Sequence, residues 1–217
     1  MWDKLKEQFN LLKLEKKKLY LITSSDKFIS KDDFLDAIAS SLQGGVDIVC
    51  LREKSIPDNV IVEIGHKIRT LCDEYGATFI VNDRPDIAHI VEADGVHLGQ
   101  NDISIADARE IVGANAIIGK TTQNPDQVIS AVNSGADYIT LGPVYTTPSK
   151  ISESIDMSAV RWVNENVDIP SFITGEITLD NISELTAAGV NKIALTDSII
   201  YARIPEYAAR NFLKYLS

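Results

Sequence analysis

The chain of 217 residues carries 45% hydrophobic, 7% aromatic and 24% charged residues, the profile of a globular domain long enough to bury a core without metal or disulfide staples. Its 31 acidic residues outnumber 21 Lys and Arg, a formal net charge of −10, and such a surface excludes nucleic acid and anionic membranes as main partners. No apolar run approaches the roughly 20 residues that span a bilayer, and Cys50 and Cys72, without CxxC spacing, exclude a disulfide scaffold and a Cys-rich zinc site.

Met1–Lys18 interleaves Trp2, Leu5, Phe9 and Leu12 with Lys and Glu at helical spacing. It reads as an amphipathic helix packed on the body and not as a signal peptide, so a cytoplasmic protein is expected. Strand and helix then alternate. Leu19–Thr23 is a strand, Lys31–Gln43 a helix stopped by Gly44-Gly45, and Val46–Arg52 a strand. Pro57–Tyr75 is a helix, Ala77–Asn82 a strand, Pro85–Val91 a short helix, Asp94–Leu98 a strand and Ser104–Val112 a helix. Ala116–Gly119 is a strand, Pro125–Asn133 a helix, Asp137–Leu141 a strand and Asp156–Asn166 a helix. Ile169–Thr174, Leu179–Ala188, Asn191–Thr196 and Pro205–Leu216 complete eight βα units.

An echo runs through the alternate strands. Residues 44–51 (GGVDIVCL), 92–98 (EADGVHL), 134–141 (SGADYITL) and 188–195 (AGVNKIAL) share a small residue, an Asp or Asn and an apolar run. Eight βα units with this period predict an α/β fold, a (β/α)8 TIM barrel with an extra N-terminal helix, forming one domain over residues 1–217. Active sites of such barrels lie where the strands end, which narrows the search to the residues that follow each strand.

Asp83 and Asp102 follow the third and fourth strands, neighbours in a barrel. Two converging carboxylates with room for water and phosphate oxygens suit Mg²⁺; the bland alternative is a pair of loop acids. Arg52 and Lys54 follow the second strand, and Thr147, Ser149 and Lys150 lie in a polar loop after the sixth. Arg grips phosphate bidentately and Lys supplies a point charge, so together with the acids they point to a diphosphate. Asn82, Thr121 and Gly175 also stand at strand ends. His97 reads as a structural histidine pointing into the barrel, Cys50 and Cys72 as buried apolar residues, and no Ser/His/Asp order, HExxH or P-loop is present.

Leu51-Arg52-Glu53-Lys54, residues 82–88 (NDRPDIA), residues 94–102 (DGVHLGQND) and Gly142-Pro143-Val144-Tyr145 resemble the motifs of the thiamine-phosphate synthase (thiamine-phosphate pyrophosphorylase) and TenI family. The resemblance implies a transferase that joins hydroxymethylpyrimidine diphosphate to thiazole phosphate and releases pyrophosphate. It implies that Asp83 and Asp102 hold Mg²⁺ and that Arg52, Lys54, Asn82 and Lys150 grip the diphosphate, with Arg52 and Lys150 carrying the catalysis. It further implies that Thr121, Thr147, Ser149 and Gly175 bind substrate. The partners are then small molecules, and the reading admits a homo-oligomer. The chain departs from the family at Cys50, where Gln is usual, at Glu176, where Gly is usual, and at Asp197, where Ser is usual. Two acids beside an expected phosphate site oppose it, and Lys120 is a candidate to offset one of them. Three readings stay open: a synthase that tolerates the changes, a paralogue with an altered, non-phosphorylated acceptor, and a non-catalytic diphosphate-binding barrel.

Overall fold

The computed structural model describes residues 13–146 and 154–216. Its strands are β1 (Leu19–Ile22), β2 (Ile48–Leu51), β3 (Thr78–Asn82), β4 (Gly95–Leu98), β5 (Ile117–Thr122), β6 (Tyr138–Leu141), β7 (Ser171–Thr174) and β8 (Ile193–Leu195). They pair in parallel and in sequence order, and β8 closes on β1. The helices are α1 (Lys31–Gln43), α2 (Asp58–Tyr75), α3 (Pro85–Ile90), α4 (Ile105–Val112), α5 (Pro125–Asn133), α6 (Met157–Asn166), α7 (Ile182–Ala187), α8 (Asp197–Ile200) and α9 (Pro205–Tyr215). This is the expected (β/α)8 barrel, with α8 added between β8 and the last helix. Among the described residues no helix is long and apolar enough to cross a membrane.

Two apolar layers follow from the period-2 alternation of each strand. Tyr20, Ile48, Cys50, Ile80, Ile117, Tyr138, Phe172 and Ala194 point inward and form the barrel interior. Leu19, Leu21, Val49, Leu51, Phe79, Val81, Ile118 and Ile139 point outward under the helices. Gly119 makes room inside: a Cβ there would sit 2.1 Å from the Tyr138 ring. At the N-terminal end Leu14 is fully buried against the interior layer. The Lys192 ammonium donates to the carbonyls of Leu14, Glu15 and Lys17 and closes that end. Residues 13–15 are helical and residues 16–18 are not, so the helix expected over residues 1–18 ends three residues early; its residues 1–12 lie outside the described residues.

The sequence echo has a physical basis. Asp47 Oδ2 accepts the backbone N–H of Leu19 at 3.1 Å, Asp94 Oδ2 that of Phe79 at 2.8 Å and Asp137 Oδ2 that of Ile118 at 2.8 Å. Each carboxylate before an even strand thus stitches the start of the odd strand that precedes it. Arg69 pairs with Asp94 at 2.9 Å and Arg109 with Asp137 at 3.1 Å, so these acids serve the base of the barrel.

The fifth strand is longer than expected and runs to Thr122. Lys120 and Thr121 are therefore strand residues and not loop residues. Alternation sends Thr121 inward with Gly119 and Ile117, and Lys120 outward with Ile118.

Candidate active site

Strand ends build a cleft of about 570 Å³ at the C-terminal mouth of the barrel. Arg52, Thr121 and Gly175 line it, together with Lys27, Glu176 and Asp197. Gly175 has φ +147°, and a Cβ there would lie 2.8 Å from the Val144 nitrogen, so only glycine lets the loops after β6 and β7 meet. The predicted Thr147, Ser149 and Lys150 lie outside the described residues.

Asp83 and Asp102 come together beside this cleft. Asp83 follows β3 in the left-handed conformation, φ +62°, and its N–H donates to the His97 carbonyl at 2.8 Å, which ties it to β4. Asp102 Oδ2 accepts the Gly99 N–H at 2.6 Å. Burial, and then the Asp102 carboxyl hydrogen-bonded beside it, push the Asp83 carboxyl above its ordinary range, while Lys54 pulls it down. Lys54 Nζ stands 3.4 Å from Asp83 Oδ2. Like charges crowded in a half-buried place are what a divalent cation relieves. Two carboxylates are hard oxygen donors of the kind Mg²⁺ takes together with water and substrate oxygens; among the described residues no group of three or more His, Cys, Asp or Glu that could hold a metal ion is present.

Asn82, the last residue of β3, pairs in register with His97. The His97 ring is buried, with Nε2 2.9 Å from Thr121 Oγ1 and Nδ1 3.0 Å from the Tyr138 hydroxyl. Burial and then the Lys120 charge push its pKa down to about 4, so it stands neutral as a structural group, as expected. The Cys50 thiol, buried in the interior, is pushed up to about 12, which suits a buried apolar residue and not a nucleophile. Glu53 is also structural, accepting from Thr23 Oγ1 at 2.9 Å and from the Ser25 N–H at 3.1 Å.

The sequence gives no signal for Lys27, which lies in the loop after β1 and 170 positions from the acid it pairs with. Its Nζ lies 3.1 Å from Asp197 Oδ2 and 4.1 Å from the centroid of the Tyr201 ring. Tyr201 in turn donates to the Ser24 carbonyl at 2.9 Å. Among the described residues Lys27, and not Lys120, thus offsets Asp197 at this end of the cleft. Lys120 donates instead to the Gly99 carbonyl at 2.7 Å.

Residues 19–199 match the family model described as thiamine monophosphate synthase. Thiamine-phosphate synthase of Clostridioides difficile is 37% identical over 186 residues, which cover 85% of this chain and 88% of that protein. The Nostoc sp. thiamine-phosphate synthase is 38% identical over 94% of this chain, and the chain spans 57% of that protein's length. The solved thiamine phosphate pyrophosphorylase of Pyrococcus furiosus superposes with a TM-score of 0.83 at 32% identity, covering 98% of this chain and 97% of that one. The chain belongs to the thiamine monophosphate synthase family.

Proposed function

We propose that the protein is a thiamine-phosphate synthase, a transferase that joins 4-amino-2-methyl-5-hydroxymethylpyrimidine diphosphate to thiazole phosphate and releases pyrophosphate. The observation that carries this reading is the Asp83–Asp102 pair with Lys54 beside it and Arg52 on the adjoining cleft. The names of the matched relatives support a synthase over a non-catalytic barrel.

In this reading Asp83 and Asp102 would hold Mg²⁺, which when bound would neutralise diphosphate oxygens. Arg52, Lys54, Asn82 and Lys150 grip the diphosphate, and Thr121, Thr147 and Ser149 supply hydroxyl contacts. The bond between the pyrimidine methylene and the diphosphate oxygen breaks, and pyrophosphate carries off the electron pair. The thiazole nitrogen attacks the methylene carbon, which bears the developing positive charge. Arg52 and Lys150 stabilise the charge that builds on the leaving group, so rate comes from electrostatics and positioning and no protein nucleophile is required.

The acceptor occupies the end of the cleft near Gly175, Glu176 and Asp197. Asp197 is partnered by Lys27, which lessens its repulsion of a phosphate and supports a phosphorylated acceptor. The test is formation of thiamine phosphate from the two substrates with Mg²⁺, with the unphosphorylated thiazole alcohol run in parallel. Product from thiazole phosphate is expected. Diphosphate binding without product from either acceptor would overturn the reading, and product from the alcohol alone would reassign the acceptor. A cytoplasmic location accords with a biosynthetic role.

A further inference from the structure

Lys120 occupies an outward position of β5, where its neighbours in the alternation, Ile118 and the β6 residue Ile139, are buried and apolar. The Lys120 side chain is half-buried, and its ammonium donates to the Gly99 carbonyl at 2.7 Å. The same carbonyl accepts the backbone N–H of Asp102 at 3.4 Å, while the Gly99 N–H donates to Asp102 Oδ2 at 2.6 Å. Gly99 therefore holds Asp102 by main chain and side chain at once. A Cβ on Gly99 would lie 3.1 Å from Asp102 Oδ2 and 4.0 Å from Asp83 Oδ1, so the residue sits at the meeting point of both carboxylates. A reciprocal tie completes the arrangement, since Gln100 Nε2 donates to the Thr121 carbonyl. Residues 99 and 100 are thus clasped to residues 120 and 121.

We infer that Lys120 is a positioning residue for the carboxylate pair: by anchoring the Gly99 carbonyl it fixes the loop that presents Asp102 to a divalent cation. The inference rests on the proposed metal role of Asp83 and Asp102. Partners that orient metal ligands from behind typically hold 10–100-fold of metal affinity. The sign of the effect separates positioning from charge. A lysine that acted only through its charge would oppose a nearby cation, and removing it would tighten binding.

The test measures Mn²⁺ binding to the substrate-free protein, by electron paramagnetic resonance of free Mn²⁺, for wild type, Lys120→Met, Lys120→Arg and Asp83→Asn. Lys120→Met keeps the unbranched apolar stem and removes the donor, and about 10–100-fold weaker Mn²⁺ binding is expected. Lys120→Arg, which retains a donor, is expected to restore most of the affinity. Equal or tighter binding by Lys120→Met, at an unchanged melting temperature, overturns the inference. Should that variant fail to fold, Lys120→Leu, which also lacks a donor, carries the same comparison. A wild-type protein that binds no Mn²⁺, or Asp83→Asn binding as well as wild type, removes the metal reading itself. Loss in Asp83→Asn with full binding in Lys120→Met overturns the positioning role alone.

Discussion

Inside the barrel the Tyr138 hydroxyl lies 3.0 Å from His97 Nδ1, and the two rings stack with centroids 5.5 Å apart. Tyr20 extends the chain, its hydroxyl 3.0 Å from that of Tyr138. A neutral imidazole satisfies this network and a cation would be stranded in it.

The first prediction is a pH dependence. The folded pKa of His97 is pushed down to about 4 from 6.5, so between these values the unfolded chain binds more protons than the folded one. Stability is therefore full above pH 6.5 and falls as pH drops towards 4, by about 3 kcal/mol in all. Urea midpoints measured from pH 7 to pH 4.5 are expected to fall more steeply for wild type than for His97→Gln. Equal slopes would show that His97 does not set this dependence.

A second prediction concerns Gly119. The Cβ of Gly119→Ala would meet the Tyr138 ring at 2.1 Å, and overpacking of this kind costs roughly 1–3 kcal/mol. Chemical denaturation should register the loss, and the double variant Gly119→Ala with Tyr138→Phe should not recover it, because the clash includes ring carbons.

Removing the Asp83 charge is a third. Asn tolerates the left-handed backbone that Asp83 adopts, whereas Ala is strained there by about 1–2 kcal/mol. Asp83→Asn is expected to keep its melting temperature and to lose Mg²⁺-dependent binding of the pyrimidine diphosphate in calorimetry. Retained binding would remove Asp83 from the proposed metal site.

The fourth addresses the acceptor end. Glu176→Gly combined with Asp197→Ser removes two carboxylates from the cleft and releases Lys27 from its 3.1 Å pair. The KM for thiazole phosphate should fall about tenfold, on the scale of about 1.4 kcal/mol per decade, with the KM for the diphosphate unchanged. Lys27→Met should raise the thiazole-phosphate KM. No change in either variant would mean that these charges do not face the acceptor.

Much of this architecture was legible from alternation. The echo before the even strands predicted a barrel, and its aspartates prove to be the acceptors of odd-strand N–H groups. Asp83 and Asp102 converge because β3 and β4 are neighbours. In the sequence Gly119 marks the end of a strand, whereas in the structure the glycine makes room for the Tyr138 ring and the strand continues to Thr122. That shift of three residues turns Lys120 from a mouth residue into one behind the wall. The pairing of Lys27 with Asp197 spans 170 positions, and only closure of β8 on β1 brings such residues together.

The aspartate stitches also divide the molecule. Asp47 joins β2 to β1, Asp94 joins β4 to β3 and Asp137 joins β6 to β5, so every stitch stays within an odd–even pair. The turn at Gly113, where a Cβ would meet nothing within 4 Å, falls between two pairs. A chain severed there keeps each stitch within one fragment, with two in the first piece and one in the second. Complementing halves cut at this turn would therefore carry their own internal registration into reassembly, whereas a cut between β1 and β2 would part Asp47 from Leu19.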